Sequence, residues 1–155
     1  MSALAHVLAS RIEIRNSVFL GRVNFINSIF REPLDLSGST FRQEASFSSA
    51  TFLAMVSFAS AHFQEDALFD GTAFMKTADC SAASFQREIT FAGASINKMR
   101  LSRAQISGQL SLQNAEFNRL EARWPVLCNH LRYDGETYLS LARNYRNLEW
   151  FEDAD

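Results

Sequence analysis

The sequence predicts an all-β solenoid of about five coils, closed by a C-terminal α-helical cap. Three observations predict it. Large apolar residues, nearly all Phe, recur from Phe41 to Ile96 with a beat of 6, 5, 6, 5. A second apolar or small position stands two residues before each of them. After Phe117 the beat stops and the apolar spacing becomes helical.

Length and composition frame this reading. The chain of 155 residues is one domain with room for a small appendage. It holds 14 Phe against 3 Tyr and 2 Trp, which implies an interior with few polar atoms to satisfy. A net charge of -2 gives no field that draws nucleic acid or anionic membrane. Two cysteines, Cys80 and Cys128, are too few for a disulfide framework, so a reducing, cytoplasmic setting is expected. No apolar run reaches the roughly 18 residues of a membrane span. The opening MSALAHVLASR lacks a basic n-region. Residues 1–13 are therefore read as an N-terminal cap or lead-in, with Leu8 already in step six residues before Ile14.

The repeat follows over residues 14–117. Its sites are Ile14, Phe19, Phe25, Phe30, Leu36, Phe41, Phe47, Phe52, Phe58, Phe63, Phe69, Phe74, Cys80, Phe85, Phe91, Ile96, Leu101, Ile106, Leu112 and Phe117. They hold 13 of the 14 Phe, so the beat is the rule by which Phe is placed. One slip occurs, between Ile96 and Leu101, where five residues stand in place of six. The companions two residues earlier run Ala45, Ala50, Val56, Ala61, Ala67, Thr72, Ala78, Ala83, Ile89, Ala94 through the regular stretch. Two inward positions separated by one residue are the mark of a short strand with one buried face. Gly21, Gly38, Gly71, Gly93 and Gly108 fall between strands and are expected at turns with unusual backbone angles. An 11-residue period also occurs in right-handed coiled coils. Here the apolar offsets spread around a helix, and the Ser, Thr, Gly and Phe content disfavours one.

This pattern of a small residue, any residue, then a central Phe or Leu resembles the pentapeptide repeat family. ASFSSATF (45–52) and VSFASAHF (56–63) look like its Phe-rich variety, in which steps of five and six alternate. The resemblance implies a right-handed quadrilateral parallel β-helix. Its four faces would make a 22-residue coil, and residues 22 apart would stack into four ladders: Ile14, Leu36, Phe58, Cys80 and Leu101; Phe19, Phe41, Phe63, Phe85 and Ile106; Phe25, Phe47, Phe69, Phe91 and Leu112; Phe30, Phe52, Phe74, Ile96 and Phe117. At about 4.8 Å per coil the rod would be roughly 24 Å long. Companions of the second and fourth ladders are always small: Ser17, Ser28, Ser39, Ala50, Ala61, Thr72, Ala83, Ala94, Ala104 and Ala115. The bulky ones, Ile12, Leu34, Val56, Ile89 and Met99, all precede the first or third ladder. A lumen of fixed volume requires such compensation.

Residues 118–155 are expected to form a helical cap or the start of a further module. Asp134 or Gly135 starts a helix, and Tyr138, Leu141, Ala142, Tyr145 and Leu148 share one face. An open last coil needs cover, for which Trp124, Leu127, Leu131, Tyr138, Leu141 and Tyr145 are suitable. This tail also resembles the helical segment after the repeats in some Phe-rich prokaryotic pentapeptide proteins, certain of which continue into membrane or channel-like modules.

Chemistry is sparse. His6, His62 and His130 share no ligand spacing, so no metal is expected. Cys80 replaces an aromatic within a ladder and reads as inert packing. Phosphate-binding loops, dinucleotide fingerprints and nucleophile elbows are absent from the sequence; no catalytic residue and no cofactor is expected. Lys98, Arg100 and Arg103 form a weak basic cluster. Some relatives in the resembled family mimic DNA, which requires an acidic rod. Residues 14–117 carry nine Lys plus Arg and nine Asp plus Glu, so nucleic acid and DNA mimicry are disfavoured. Ile29, Leu53, Met55 and Met75 are apolar where the pattern expects polar, and form a candidate interaction patch. The expected function is a non-catalytic rigid scaffold or protein-interaction module. Its expected partner is a protein, a second copy docking through an exposed end or face included. The alternatives are the soluble regulatory part of a larger membrane or channel-like protein and, less favoured, a DNA-mimicking topoisomerase-binding protein.

Overall fold

A computed structural model describes residues 6–154; residues 1–5, with them part of the expected lead-in, and Asp155 lie outside the described residues. The strands are two or three residues long for most of the chain and stack in four columns, every pairing parallel. The first column runs Ile12–Glu13, Leu34–Asp35, Val56–Ser57 and then the later halves of Ala73–Asp79, Ser95–Arg100 and Glu116–Glu121. The second runs Val18–Phe19, Thr40–Phe41, His62–Phe63, Ser84–Phe85 and Gln105–Ile106. The third runs Val23–Asn24, Ala45–Ser46, Ala67–Leu68, Ile89–Thr90 and Leu110–Ser111. The fourth runs His6–Leu8, Ser28–Phe30, Thr51–Phe52 and the earlier halves of the three long strands. His6–Leu8 therefore belongs to the stack, with Leu8 in register with Phe30.

Phe stacks on Phe up the second, third and fourth columns. Phe63 lies between Phe41, at 4.5 Å and 2° between ring planes, and Phe85, at 5.0 Å and 9°. In the third column Phe47, Phe69 and Phe91 are spaced 5.2 and 5.1 Å. Phe58, from the first column, meets the edges of Phe47 and Phe69 at 74° to each. Parallel rings within a column and perpendicular rings across the lumen both suit the ring quadrupole. Ile14 departs from its expected inward burial, because it sits in the first coil and is exposed there.

The alternation of companion size has a cause in the backbone. Asn16, Asn27, Gly38, Ser49, Ser60, Gly71, Ala82, Gly93, Arg103 and Asn114 all have φ between 51° and 67°. Each stands two residues after a first- or third-column ladder residue, as at the third position of a type II turn. The next residue donates its N–H back to the ladder residue's carbonyl, as Ala61 does to Phe58 (3.0 Å) and Ala83 to Cys80 (3.1 Å). That residue is the small companion, turned inward at a tight corner. Two of the polar ones bond to the coil below: Thr72 Oγ1 donates to the Phe47 carbonyl (2.8 Å), and Ser39 Oγ to that of Ile14 (3.0 Å). Gly21 and Gly108 correct the expectation for turn glycines, since neither has a positive φ. Gly108 is needed for a different reason: a Cβ there would overlap the Arg87 carbonyl.

The outward residue before several of these turns is recruited as well. Asn24, Asp35, Ser57, Asp79 and Thr90 each accept, through the side chain, from the backbone N–H two residues on, at 2.9 to 3.3 Å. Such side-chain turns supply an acceptor that the corner geometry lacks.

The slip is a bulge. Register between coils is 22 residues at Phe74↔Ile96 and 21 at Thr77↔Lys98, with the shift between Phe74 and Thr77. Met75 and Lys76 thus oppose Asn97 alone. Every later pairing keeps 21, as in Ser84↔Gln105 and Ile96↔Phe117.

After Glu121 the chain begins another coil with helices in place of strands. They are α1 (Trp124–Leu127), α2 (Gly135–Asn147) and α3 (Phe151–Ala154). Leu131 still bridges to Leu110 in the third column. Asp134 caps α2 by accepting from the Thr137 N–H (3.3 Å).

Two stability outcomes are expected. Phe63→Ala removes a ring stacked on both sides and lowers unfolding free energy by about 3–5 kcal/mol; a denaturant titration showing a loss below about 1 kcal/mol contradicts the ladder. Ala82→Gly removes the Cβ from a left-handed corner, so the same titration is expected to show a gain of up to about 1 kcal/mol, net of glycine's backbone entropy.

Candidate functional site

The candidate patch residues lie on one column and its neighbouring corner. Ile29 is on the outer side of the fourth column, in register with Val7 and Thr51. Leu53 directly follows Phe52, as Met75 follows Phe74, and these two Phe are in register. Met55 precedes the first-column strand Val56–Ser57 and gives its carbonyl to the Leu34 N–H (3.2 Å). Leu53, Met55 and Met75 are 41%, 51% and 52% exposed, whereas Ile29 is half-buried. Val7, Ile29, Thr51, Ala73 and Ser95 make the outer row of this column uncharged up to Glu116. Sequence reasoning missed Val7, which joins the row only because His6–Leu8 is a strand. It also missed Val18, Leu20 and Ile26, apolar residues exposed around the first coil.

The basic cluster is divided by the structure. Lys98, Arg100 and Arg119 surround the carboxylate of Glu121, at 3.2, 3.3 and 2.7 Å. Arg103 is one of the left-handed corner residues, beyond the buried Leu101. Burial works to raise the Glu121 pKa, but the hydrogen bonds and charges of Arg119 and Lys98 outweigh it, and the net direction is down. The cations thus hold together one edge of the first column, and their charge is partly neutralised in place.

The cap residues sit against the last coil. Leu127, Leu141 and Tyr145 are buried, while Trp124, Leu131 and Tyr138 are half-buried. The open strand edge is satisfied by a side chain that sequence reasoning missed. Buried Asn144 donates from Nδ2 to the Leu120 carbonyl and accepts at Oδ1 from the Leu120 N–H, both at 2.9 Å. Its amide replaces the next strand. Nothing in the local pattern distinguishes this Asn from Asn147 one turn later.

Reactive groups are few and occupied. Cys80 is buried and free, and burial, then the Asp79 charge, pushes its thiol up to about 12. At neutral pH it is a packed thiol without nucleophilic character. Exposed His62 shares a 2.8 Å hydrogen bond with Ser84, and His130 bonds through Nδ1 to the Gly108 carbonyl (3.0 Å). Among the described residues no group of three His, Cys, Asp or Glu side chains is placed to hold a metal ion. No helix among them is long and apolar enough to cross a membrane.

Comparison with known proteins gives one match. Residues 36–84 match the family model described as pentapeptide repeats (9 copies). The match covers the middle of the stack and ends where pairing to the next coil has changed from 22 to 21 residues. No curated protein and no solved structure matches the chain.

Glu121 sets an expected pH response. Its folded pKa is below the unfolded value, so its contribution to stability is complete above the ordinary glutamate pKa of about 4.3. The contribution is lost as pH falls from there through the folded value. Glu121→Gln should therefore flatten the acid limb of a stability-versus-pH curve below about pH 4.3. Parallel acid limbs for variant and wild type would contradict the assignment.

Proposed function

We propose, from the premise that this chain is a pentapeptide repeat protein, that it serves as a non-catalytic, rigid docking module whose binding face is the outer side of the fourth column. A parallel β-solenoid of about five coils is a structural or interaction module in kind. The observation that carries the finer reading is the group of exposed apolar side chains Leu53, Met55 and Met75 beside the uncharged row from Val7 to Ser95. The outer side of the first column is unlike it, carrying Glu13, Asp35, Asp79, Arg100 and Glu121. The outer rows of the second column (Val18, Thr40, His62, Ser84 and Gln105) and the third (Asn24, Ser46, Leu68, Thr90 and Ser111) are free of Asp, Glu, Lys and Arg as well, but are polar for most of their length. Exposed apolar side chains gathered at one corner of the rod are a place where a partner displaces water favourably. The lumen supports a non-catalytic reading because it is filled by its own rings and offers a substrate no room.

The experiment is a capture assay with immobilised protein and an extract of the source cells, run beside sedimentation velocity to detect a second copy as the partner. Leu53→Glu and Met75→Glu are expected to reduce capture or self-association at least tenfold, about 1.4 kcal/mol. His62→Glu, on the second column, is expected to leave both unchanged. Equal binding by all three variants would remove the fourth-column face from consideration.

A further inference from the structure

Helices α1, α2 and α3 border a half-open cavity of about 340 Å³, lined chiefly by Trp124, Tyr138, Leu139, Tyr145, Glu152 and Asp153. Its volume is in the range of small-molecule sites, at roughly 300–1,000 Å³. Trp124 and Tyr138 meet edge to face, with centroids 5.7 Å apart. Two carboxylates line the cavity and no cationic side chain does. Asp153 is already engaged, with Oδ2 accepting from Arg123 Nη1 (2.9 Å) and Oδ1 from the Trp124 N–H (3.2 Å). Arg123 lies over the Trp150 ring, 4.1 Å from its centroid. Exposed Glu152 pairs with no cation among the described residues. A second observation falls on the same wall. Tyr145 is 1% exposed, and its hydroxyl is the buried side-chain polar atom without a hydrogen-bond partner among the described residues.

This lining selects a ligand class. Aromatic side chains and a spare carboxylate attract positive charge. Leu139, Leu141, Ala142 and Ala154 suit aliphatic groups around that charge. A primary ammonium needs three acceptors, and the free ones on this lining are the Glu152 carboxylate and the Tyr145 hydroxyl oxygen. A quaternary ammonium needs none. We propose that this cavity binds a small quaternary ammonium compound, of choline size or slightly larger, with the aromatic side chains of Trp124 and Tyr138 and the carboxylate of Glu152 as its recognition elements. The site is separate from the fourth-column face and does not depend on it.

The test is a titration of the full chain with choline chloride at constant ionic strength, followed by the Trp124 indole resonance in NMR. The neutral isostere 3,3-dimethylbutan-1-ol is titrated in parallel. Saturable choline binding is expected, with the isostere at least tenfold weaker. Glu152→Gln is expected to weaken choline about three- to tenfold and Tyr138→Leu at least tenfold. Leu139→Lys, at an exposed position on the rim, tethers a competing cation and should abolish binding without touching the core; it serves if Tyr138→Leu fails to fold. Absence of saturation up to about 100 mM choline, equal binding of the neutral isostere, or full affinity in both Glu152→Gln and Leu139→Lys each overturns the proposal.

Discussion

The structure depends on a coincidence of two spacings. Parallel strands hydrogen-bond at about 4.8 Å, and face-to-face aromatic rings are comfortable at nearly the same separation. A coil whose backbone bonds to the coil below therefore places each Phe on the Phe beneath it, at 4.5 to 5.5 Å across the three aromatic columns. Neither interaction is strong alone. Strands of two residues bury too little to stand independently, and rings stack only if the backbone holds them in register. Together they make a core in which one spacing satisfies both the hydrogen bonds and the packing.

That core consumes the chemistry of the chain. Left-handed corners require Asn, Gly, Ser or, at some cost, Ala82 and Arg103. Asp35, Asp79, Ser57 and Thr90 accept backbone N–H groups, so these acids and hydroxyls are structural acceptors. Cys80 is a filler between Phe58 and Leu101, and Glu121 holds three cations on the edge of the first column. The exposed Leu53, Met55 and Met75 have no such task in the fold, and the helical cap need not obey the beat.

Legibility followed the range of the interaction. The ladders could be read because side-chain direction is fixed by period, and period is local. The glycines were half legible. Gly38, Gly71 and Gly93 take the left-handed angles expected of them, while Gly108 is required by the approach of the Arg87 carbonyl, a contact across a coil that no local signal announces. Lys98, Arg100 and Arg103 are close in sequence, but a buried Leu101 and a corner separate Arg103 from the others. Asn144 could not be identified because its partner, Leu120, is 24 residues away and the match depends on where α2 crosses the last coil.

The sequence by itself determined the coil, the four stacks, the position of the slip and the helical start at Asp134. Each is written in spacing, and in a solenoid each coil touches chiefly its neighbours, so local rules propagate along the whole rod. Tertiary structure decided three things that spacing does not encode. It made the slip a bulge between Met75–Lys76 and Asn97, paired the whole of His6–Leu8 with Ser28–Phe30 where spacing had put only Leu8 in step, and closed the last edge with the amide of Asn144. The physical reason is common to all three. Each depends on which backbone groups are left unpaired once neighbouring coils have docked, a quantity that exists only after the chain has folded.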